Sequence, residues 1–296
     1  MLGTVENVRS FLREGIMIGQ DIYTRIRANN YIANKDKALV YKLFDVSNQI
    51  SFGKISSRSE GYLINGMGWP RCTNVLGMDG SKAAALMAWA KREIVSYGKE
   101  NLLRALKEKG SIDEFAVNYV LDAAYDYPDR QKNDAATEGT KVHDNVENWL
   151  NKKPYEDNKL LQEFIHIWQN ERVELIATEI PLVWHQKGIG FGGKLDILAY
   201  KDGKFIIYDN KTSRSVHDSY ACQVSAYKNA VEQMSPGLKV SKCKIIHLAN
   251  ENNMSDWQKK QHQKLGNLIE ITNMTKAWKH FKILLELYEM RNNKYF

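Results

Sequence analysis

The sequence predicts an α/β protein with a central mixed β-sheet flanked by helices. Helical periodicity dominates residues 81–170, where apolar side chains recur three and four positions apart. Residues 173–211 change to a strand pattern that contains the turn signal Asp202-Gly203. A helix, a strand and a helix follow to the C-terminus, and this order is typical of a sheet covered by helices.

The elements follow from periodicity and from turn residues. Helices are expected over residues 81–98, 100–109, 111–125, 134–150, 157–170, 216–234 and 274–290. Strands are expected over residues 173–185, over both arms of a hairpin within 193–211, and over 242–249.

The chain is expected to divide near residue 65. Residues 5–28 and 35–44 have helical patterns, and the polar, glycine-bearing stretch 51–68 follows them. We therefore expect an N-terminal, mostly helical appendage of unknown role over residues 1–65 and one larger domain over residues 66–296.

Composition limits the class of protein. The chain has 296 residues, of which 43% are hydrophobic and 26% charged, as in ordinary globular proteins. No apolar run approaches the length of a membrane span, and the first residues do not resemble a secretory signal. The net charge of +7 favours a polyanionic partner, although simple basic solubility explains it equally well.

The cysteines predict neither a zinc site nor a disulfide framework. Cys72, Cys222 and Cys243 are widely separated, and no C-x-x-C spacing occurs. We expect all three in the core of a protein from a reducing compartment.

The predicted hairpin carries the most informative charges. If Lys201 pairs with Lys204 across the Asp202-Gly203 turn, Asp196 lies directly opposite Asp209. Alternation then places Lys194 and Lys211 on the same face as the two aspartates. Like charges in such a pair destabilise a sheet, and a divalent cation removes the repulsion. The hairpin therefore predicts half of a metal site beside a lysine.

Two further motifs lie on predicted helices. His143 and Glu147 stand four apart and share a helix face, where an imidazole ligates a metal and a carboxylate holds water. An exposed His–Glu pair is the alternative, and a zinc protease is excluded because no H-E-x-x-H occurs. Gln223 and Tyr227 form a second pair with the same spacing, although such residues are common on any half-buried helix.

Taken in order, the motifs resemble a known family. They run G-x-x-x-H-x-x-x-E from Gly139, G-G-x-x-D from Gly192, D-x-K from Asp209, and Q-x-x-x-Y from Gln223. This order resembles the RecB-like exonuclease branch of the PD-(D/E)XK nuclease superfamily, which includes phage-encoded exonucleases and the mitochondrial genome maintenance exonuclease. The resemblance covers residues 69–296 and implies a restriction-endonuclease-like core.

The resemblance also implies the site residues. The expected catalytic residues are Asp196, Asp209, Lys211, Glu147, Gln223 and Tyr227. The expected ligands of Mg²⁺ or Mn²⁺ are His143, Asp196, Asp209, the Asn210 carbonyl and Glu179. No iron–sulfur cluster is expected, because three scattered cysteines do not supply the four ligands that some relatives use.

The implied function is metal-dependent DNA exonuclease activity in recombination, repair or genome processing. The chain would be phage-encoded and act in the cytoplasm of a bacterial host, on single-stranded or duplex DNA ends, with a single-strand-binding or annealing protein as a further partner. A structure-specific or flap endonuclease, and a catalytically silent nucleic-acid-binding protein, are the alternatives.

Four aromatic residues are candidates for stacking on unpaired bases, with a place in the core as the alternative: Trp89, Trp149, Tyr155 and Trp184.

Overall fold

The structure is a computed structural model that describes residues 22–56, 59–249 and 254–292. Contacts divide these residues into two compact units. One comprises the described residues up to Met78 together with those from Asn145 onward, and the other is Asp79–Asp144. The division differs from the expected boundary at residue 65.

The N-terminal part of the first unit begins with helices. Residues 22–28 are helical, and helix α1 spans Asn34–Ser47, which confirms the helix expected over 35–44. Its buried residues Val40, Leu43 and Phe44 recur at helical spacing and join the main core. The helix expected over 5–28 otherwise lies outside the described residues.

The polar, glycine-bearing stretch 51–68, which the sequence places at the end of a mostly helical appendage, carries strands instead. Strands β1 (Ser51–Ser56), β2 (Ser59–Ile64) and β3 (Met67–Pro70) form an antiparallel sheet in the order β1-β2-β3. Asn65 and Gly66 have φ values of 50° and 76°, which make the two-residue turn between β2 and β3. Asn-Gly is the sequence signal for this hairpin, and its flanking residues alternate too weakly in hydrophobicity to support it.

The second unit consists of one long helix and most of another, rather than of several short helices. Helix α3 spans Gly80–Lys109, after the short helix α2 (Cys72–Leu76) of the first unit, and helix α4 spans Glu114–Leu150. Gly98, where the sequence predicts a break, lies inside α3, and a Cβ there would lie 3.6 Å from Ala124 of α4. Tyr97 and Tyr127 stack beside this contact at 4.4 Å.

The first unit is built on a five-stranded mixed sheet, which confirms the α/β class. Its strands, in spatial as well as chain order, are β4 (Glu174–Gln186), β5 (Ile189–Lys201), β6 (Lys204–Lys211), β7 (Val240–His247) and β8 (Leu268–Glu270). Neighbouring strands are antiparallel except β6 and β7, which are parallel.

Helices flank this sheet. They are α5 (Lys159–Glu171), α6 (Asp218–Met234), α7 (Asp256–Leu265) and α8 (Met274–Asn292). Helix α6 makes the long connection that parallel strands require, between β6 and β7. The main core joins residues of α6 and α8, such as Val224 and Phe281, to Ile207 and Ile245 of the sheet. No helix in the described part of the chain is long and apolar enough to cross a membrane.

The register of the predicted hairpin is confirmed. Lys201 pairs with Lys204, and the ladder continues regularly to the pair of Ile197 and Tyr208. Asp202 and Gly203 have φ values of 49° and 76°, as a two-residue turn of this type requires.

Candidate active site

The two aspartates lie where the hairpin ladder ends. Ile197 and Tyr208 are the last pair of β5 and β6, and Asp196 and Asp209 occupy the next position in register without pairing. The backbone N–H of Asn210 instead donates to Asp196 Oδ2 at 2.8 Å. A carboxylate thus replaces a backbone carbonyl at this point, and the strands separate around it.

Glu179 of β4 lies in register with Asp196 and Asp209, so the three acidic residues form a row across β4, β5 and β6. The flanking pairs Thr178–Ile197 and Ile180–Leu195 place Glu179 opposite Asp196, again without a ladder pair. Its φ is +55°, in the left-handed region that is sparsely populated by residues other than glycine and asparagine. Strain of this kind persists only where the surroundings impose it, and it is concentrated at functional sites.

Side-chain alternation also changes at this row. Leu195 and Leu198 both belong to the main core, although strict alternation would place them on opposite faces of β5. The expectation of one continuous face from Lys194 to Asp209 therefore does not hold.

Asp209 is fully buried, and its carboxylate contacts a cation and a hydrogen-bond donor. Its Oδ2 forms an ion pair with Lys211 Nζ, and Gln223 Nε2 donates to its Oδ1 at 3.3 Å. Burial lowers the pKa of Lys211, but the charges of Asp209 and Asp196 raise it by more, so the pKa lies above its usual range. Lys211 is therefore protonated and offsets the repulsion that the sequence predicts between the two aspartates.

The Gln223–Tyr227 pair contacts this carboxylate from α6. Gln223 Nε2 also donates to the Tyr227 hydroxyl at 3.0 Å, and Tyr227 is buried. Burial, followed by the nearby Cys72 thiol and Asp209, holds the pKa of Tyr227 well above its usual value, so the phenol is neutral. A Cβ at Gly193 would lie 2.5 Å from Tyr227 Cε1, which explains the second glycine of G-G-x-x-D.

Lys194 does not join the aspartates as expected. It forms an ion pair with Glu179, two positions from its ladder partner Pro181. Burial lowers the pKa of Lys194, while the charges of Glu179, then Tyr62 and Glu147, raise it above its usual value. Glu179 and Glu147, both predicted as site residues, therefore both interact electrostatically with Lys194.

Tyr220 and Ser213, which lie near Lys211, were not predicted from the sequence as site residues. Lys211 Nζ lies 5.3 Å from the centre of the Tyr220 ring, and the Tyr220 hydroxyl donates to Ser213 Oγ at 2.6 Å. Tyr220 precedes Gln223 by three positions on α6, so helical spacing from the Q-x-x-x-Y motif is the signal that identifies it.

His143 stays a predicted ligand. It is half-buried on α4 within the helical unit, one turn before Glu147, which belongs to the sheet-bearing unit. Among the described residues, no group of three or more His, Cys, Asp or Glu side chains is assembled as a metal site.

The donor atoms beside the hairpin nevertheless suit a hard cation. Asp209 Oδ2 is buried and, apart from its ion pair, accepts no hydrogen bond from the described residues. Asn210 Oδ1 is likewise buried without a hydrogen bond there. The carboxylates of Asp196 and Asp209 and the side-chain amide oxygen of Asn210 are oxygen ligands, which Mg²⁺ and Mn²⁺ prefer.

The cysteines and one aromatic residue belong to the core. Cys72, Cys222 and Cys243 are all described, all buried and not joined in disulfides, as expected. Trp184 is buried against Phe191 and Trp278, so the suggestion that it stacks bases is wrong.

Comparisons with known proteins assign no family. No family model and no curated protein matches the chain. A solved structure titled "Crystal structure of SSO0001" is similar at 16% identity with a TM-score of 0.27. The match covers 45% of this chain and 61% of that one, so the chain spans less than two thirds of its length. A similarity of this size assigns no function.

Proposed function

We propose that the protein is a metal-dependent nuclease that hydrolyses phosphodiester bonds in DNA, acting from DNA ends. The observation that carries the proposal is the group of Asp196, Asp209 and Lys211 at the open end of the β5–β6 hairpin. Two acidic residues from neighbouring strands and one protonated lysine provide what this hydrolysis requires: oxygen ligands and a positive charge near the scissile phosphate.

Each residue of the group has a distinct role in this proposal. Asp196, Asp209 and the Asn210 carbonyl would hold Mg²⁺ or Mn²⁺. When bound, such an ion lowers the pKa of water and neutralises phosphate oxygens. Lys211 Nζ orients the attacking water and stabilises negative charge as it develops on the phosphate.

The residues of α6 act by fixing Asp209. The Gln223 amide N–H bonds both Asp209 Oδ1 and the Tyr227 hydroxyl, so the buried tyrosine limits rotation of the amide and, through it, of the carboxylate. Glu179, Glu147 and His143 are proposed as additional ligands or as acceptors for water near the ion.

The test is cleavage of end-labelled single-stranded and duplex DNA with Mg²⁺, with Mn²⁺ or with EDTA. We expect cleavage that EDTA abolishes and that falls by about 10²–10³-fold in Lys211→Ala. The matched control is Lys242→Ala, because Lys242 forms a half-exposed ion pair with Glu270 on the neighbouring strands. Near-normal cleavage by Lys211→Ala would remove the basis of the assignment.

A closed circular single strand separates the alternatives. An exonuclease leaves the circle intact, whereas a flap or structure-specific endonuclease on the same site opens it. DNA binding without any metal-stimulated cleavage would favour a catalytically silent nucleic-acid-binding protein. A single-strand-binding or annealing protein as partner and a role in recombination or repair belong to the same proposal.

A further inference from the structure

One face of the N-terminal sheet carries a row of three aromatic residues. Phe52 pairs with Tyr62 across β1 and β2, and Tyr62 pairs with Trp69 across β2 and β3. The Phe52 and Tyr62 rings touch edge to face, with centroids 5.3 Å apart. Phe52 is 42% exposed, whereas Trp69 is buried, so the row runs from the protein interior to its surface.

The buried end of the row is fixed on β5 by two glycines. A Cβ at Gly190 would lie 2.6 Å from Trp69 Cε3, and one at Gly192 would lie 2.3 Å from Tyr62 Cβ. Trp69 also stacks on His185 with the rings 6° from parallel. Because only glycine permits both contacts, the aromatic row has a fixed position on the strand that carries Asp196.

The row therefore lies close to the candidate active site. Gly192, Lys194 and Asp196 follow one another at two-residue intervals along β5. Four residues of extended strand span about 13 Å. A short segment of a nucleic acid strand bridges such a distance.

Positive charges border the exposed end of the row. The Arg71 guanidinium lies 4.9 Å from the centre of the Phe52 ring and forms a 3.0 Å ion pair with Glu60. Burial raises the pKa of Tyr62, and the charges of Lys194 and Arg71 oppose this rise, so both cations lie near the phenol. The Arg71 and Lys194 side chains are each about half exposed.

We propose that Phe52 and Tyr62 form a stacking surface in which the exposed Phe52 ring, held edge to face by Tyr62, stacks on an unpaired base of a DNA single strand, with Arg71 and Lys194 contacting its phosphates. An aromatic face beside cations suits single-stranded nucleic acid, since stacking requires a base whose face is free. In duplex DNA both faces of a base are covered by its neighbours. The proposal rests on the proposed nuclease function only in naming DNA as the strand.

Lys194 lies between the stacking surface and the candidate active site, where it would contact the bound strand. It is ion-paired with Glu179, which lies opposite Asp196 in register. A phosphate that approaches Lys194 competes with Glu179 for the ammonium group. The strand held on Phe52 and Tyr62 would thereby be directed toward Asp196 and Asp209.

The test is binding of fluorescein-labelled oligothymidylate, measured by fluorescence anisotropy in EDTA so that no hydrolysis occurs. We expect Phe52→Ala to raise Kd by about fivefold or more, because one base stacked on an aromatic ring contributes strongly to such binding. Phe52→Trp should restore the affinity. Tyr31→Ala, which removes another exposed aromatic ring, should leave it unchanged.

A duplex of equal length provides the second arm. Its affinity should change less than twofold in Phe52→Ala. Unchanged oligothymidylate affinity, or an equal loss for both DNAs, would overturn the stacking proposal. Thermal melting verifies folding; Phe52 is chosen because it is the exposed member of the pair.

The two proposals fail separately. If the wild-type protein cleaves no DNA but Phe52→Ala weakens oligothymidylate binding, the stacking surface stands and the nuclease function falls. If the wild type cleaves DNA and Phe52→Ala binds and cleaves single strands normally, the nuclease function stands and the stacking surface falls.

Discussion

Two lysine–carboxylate pairs on neighbouring strands have similar burial and different surroundings. Lys244 of β7 pairs with Glu171 at the end of α5, with side chains 12% and 17% exposed. Lys211 of β6 pairs with Asp209, with side chains 16% and 0% exposed. Burial alone therefore does not distinguish a structural pair from a candidate catalytic pair.

The difference lies in hydrogen bonding. Glu171 Oε2 also accepts from the Tyr208 hydroxyl at 2.5 Å, and Lys201 Nζ donates to the Glu171 backbone carbonyl at 2.6 Å. Burial raises the pKa of Glu171, but the bonds from Lys244 and Tyr208 lower it by more, so the carboxylate stays charged.

The Asp209 pair lacks this completeness. Asn210 Oδ1 is buried without a hydrogen bond among the described residues, Asp209 Oδ2 has its ion pair with Lys211 and no further hydrogen bond there, and Lys211 is also attracted by a second carboxylate, Asp196. Buried polar atoms are usually satisfied, so unsatisfied ones indicate a ligand or a catalytic role. The comparison identifies one pair as structural and the other as the candidate site.

The largest expected effect concerns the structural pair. Lys244→Ala leaves a mostly buried Glu171 carboxylate without its cation, which should lower the free energy of unfolding by about 3 kcal/mol. Urea denaturation measures this loss, and cleavage at a temperature where the variant is folded should stay within about threefold of the wild type. A large loss of cleavage in the folded variant would contradict the comparison.

A double variant sharpens this result. Replacing both members of the pair, Lys244→Met with Glu171→Leu, removes the uncompensated charge as well as the bond. The double variant should be more stable than Lys244→Ala but less stable than the wild type, because the buried Tyr208 hydroxyl loses its acceptor, Glu171 Oε2.

The second effect concerns the support of Asp209. In Gly193→Ala the new methyl group would lie 2.5 Å from Tyr227 Cε1, so the ring or the strand must move. Overpacking of this kind costs about 1–3 kcal/mol, and cleavage should fall because Tyr227 fixes Gln223. Gly53→Ala is the matched control, since its Cβ would meet Leu63 Cδ1 at an ordinary 3.4 Å. Equal behaviour of the two variants in thermal melting and cleavage would contradict the contact.

The third effect is stabilisation by a divalent cation. Mn²⁺ at a free concentration ten times its Kd should stabilise the folded protein by about 1.4 kcal/mol, seen as a higher Tm. Asp209→Asn should lose the shift, whereas Lys244→Ala should retain it. An equal shift in wild type and Asp209→Asn would indicate that the ion binds elsewhere.

The smallest effect is a dependence of stability on pH. His247 Nε2 donates to the Ser213 carbonyl at 2.7 Å, so neutral His247 accepts at Nδ1 from His262 Nδ1 at 3.0 Å. Burial lowers the pKa of His247 below 6.5, although the Ser213 bond partly opposes this.

The folded protein therefore binds fewer protons than the unfolded chain just below pH 6.5, and stability should fall as the pH drops through that range. Melting temperatures at pH 7.5 and 5.5 measure the loss, which should be smaller in His247→Gln. An unchanged pH dependence in that variant would exclude His247 as its source.

Local patterns predicted the hairpin well. The turn at Asp202-Gly203 and the pairing of Lys201 with Lys204 follow from neighbouring residues, because turn type and loop length set the register of a hairpin. The helices α1, α5 and α6 follow similarly from periodicity. The β2–β3 hairpin was missed, since its Asn65-Gly66 turn lies between weakly alternating residues.

The sequence predicts several short helices where the structure has two long ones, and the reason is physical. Gly98 suggests a break in an isolated helix, but the structure uses its small size where α4 approaches, near Ala124. Contacts between helices outweigh local propensity, and they are not visible in a single sequence.

The sequence by itself determined the α/β class, the hairpin register and the chemical types of the candidate site, because these depend on residues close together in the chain. Only the tertiary structure decided which charges meet. Lys211 pairs with Asp209, Lys194 pairs with Glu179, and the N-terminal sheet rests on Gly190 and Gly192. These contacts depend on where the β4 and β5 strands lose their regular pairing and on how separate segments pack, and local preferences do not encode either.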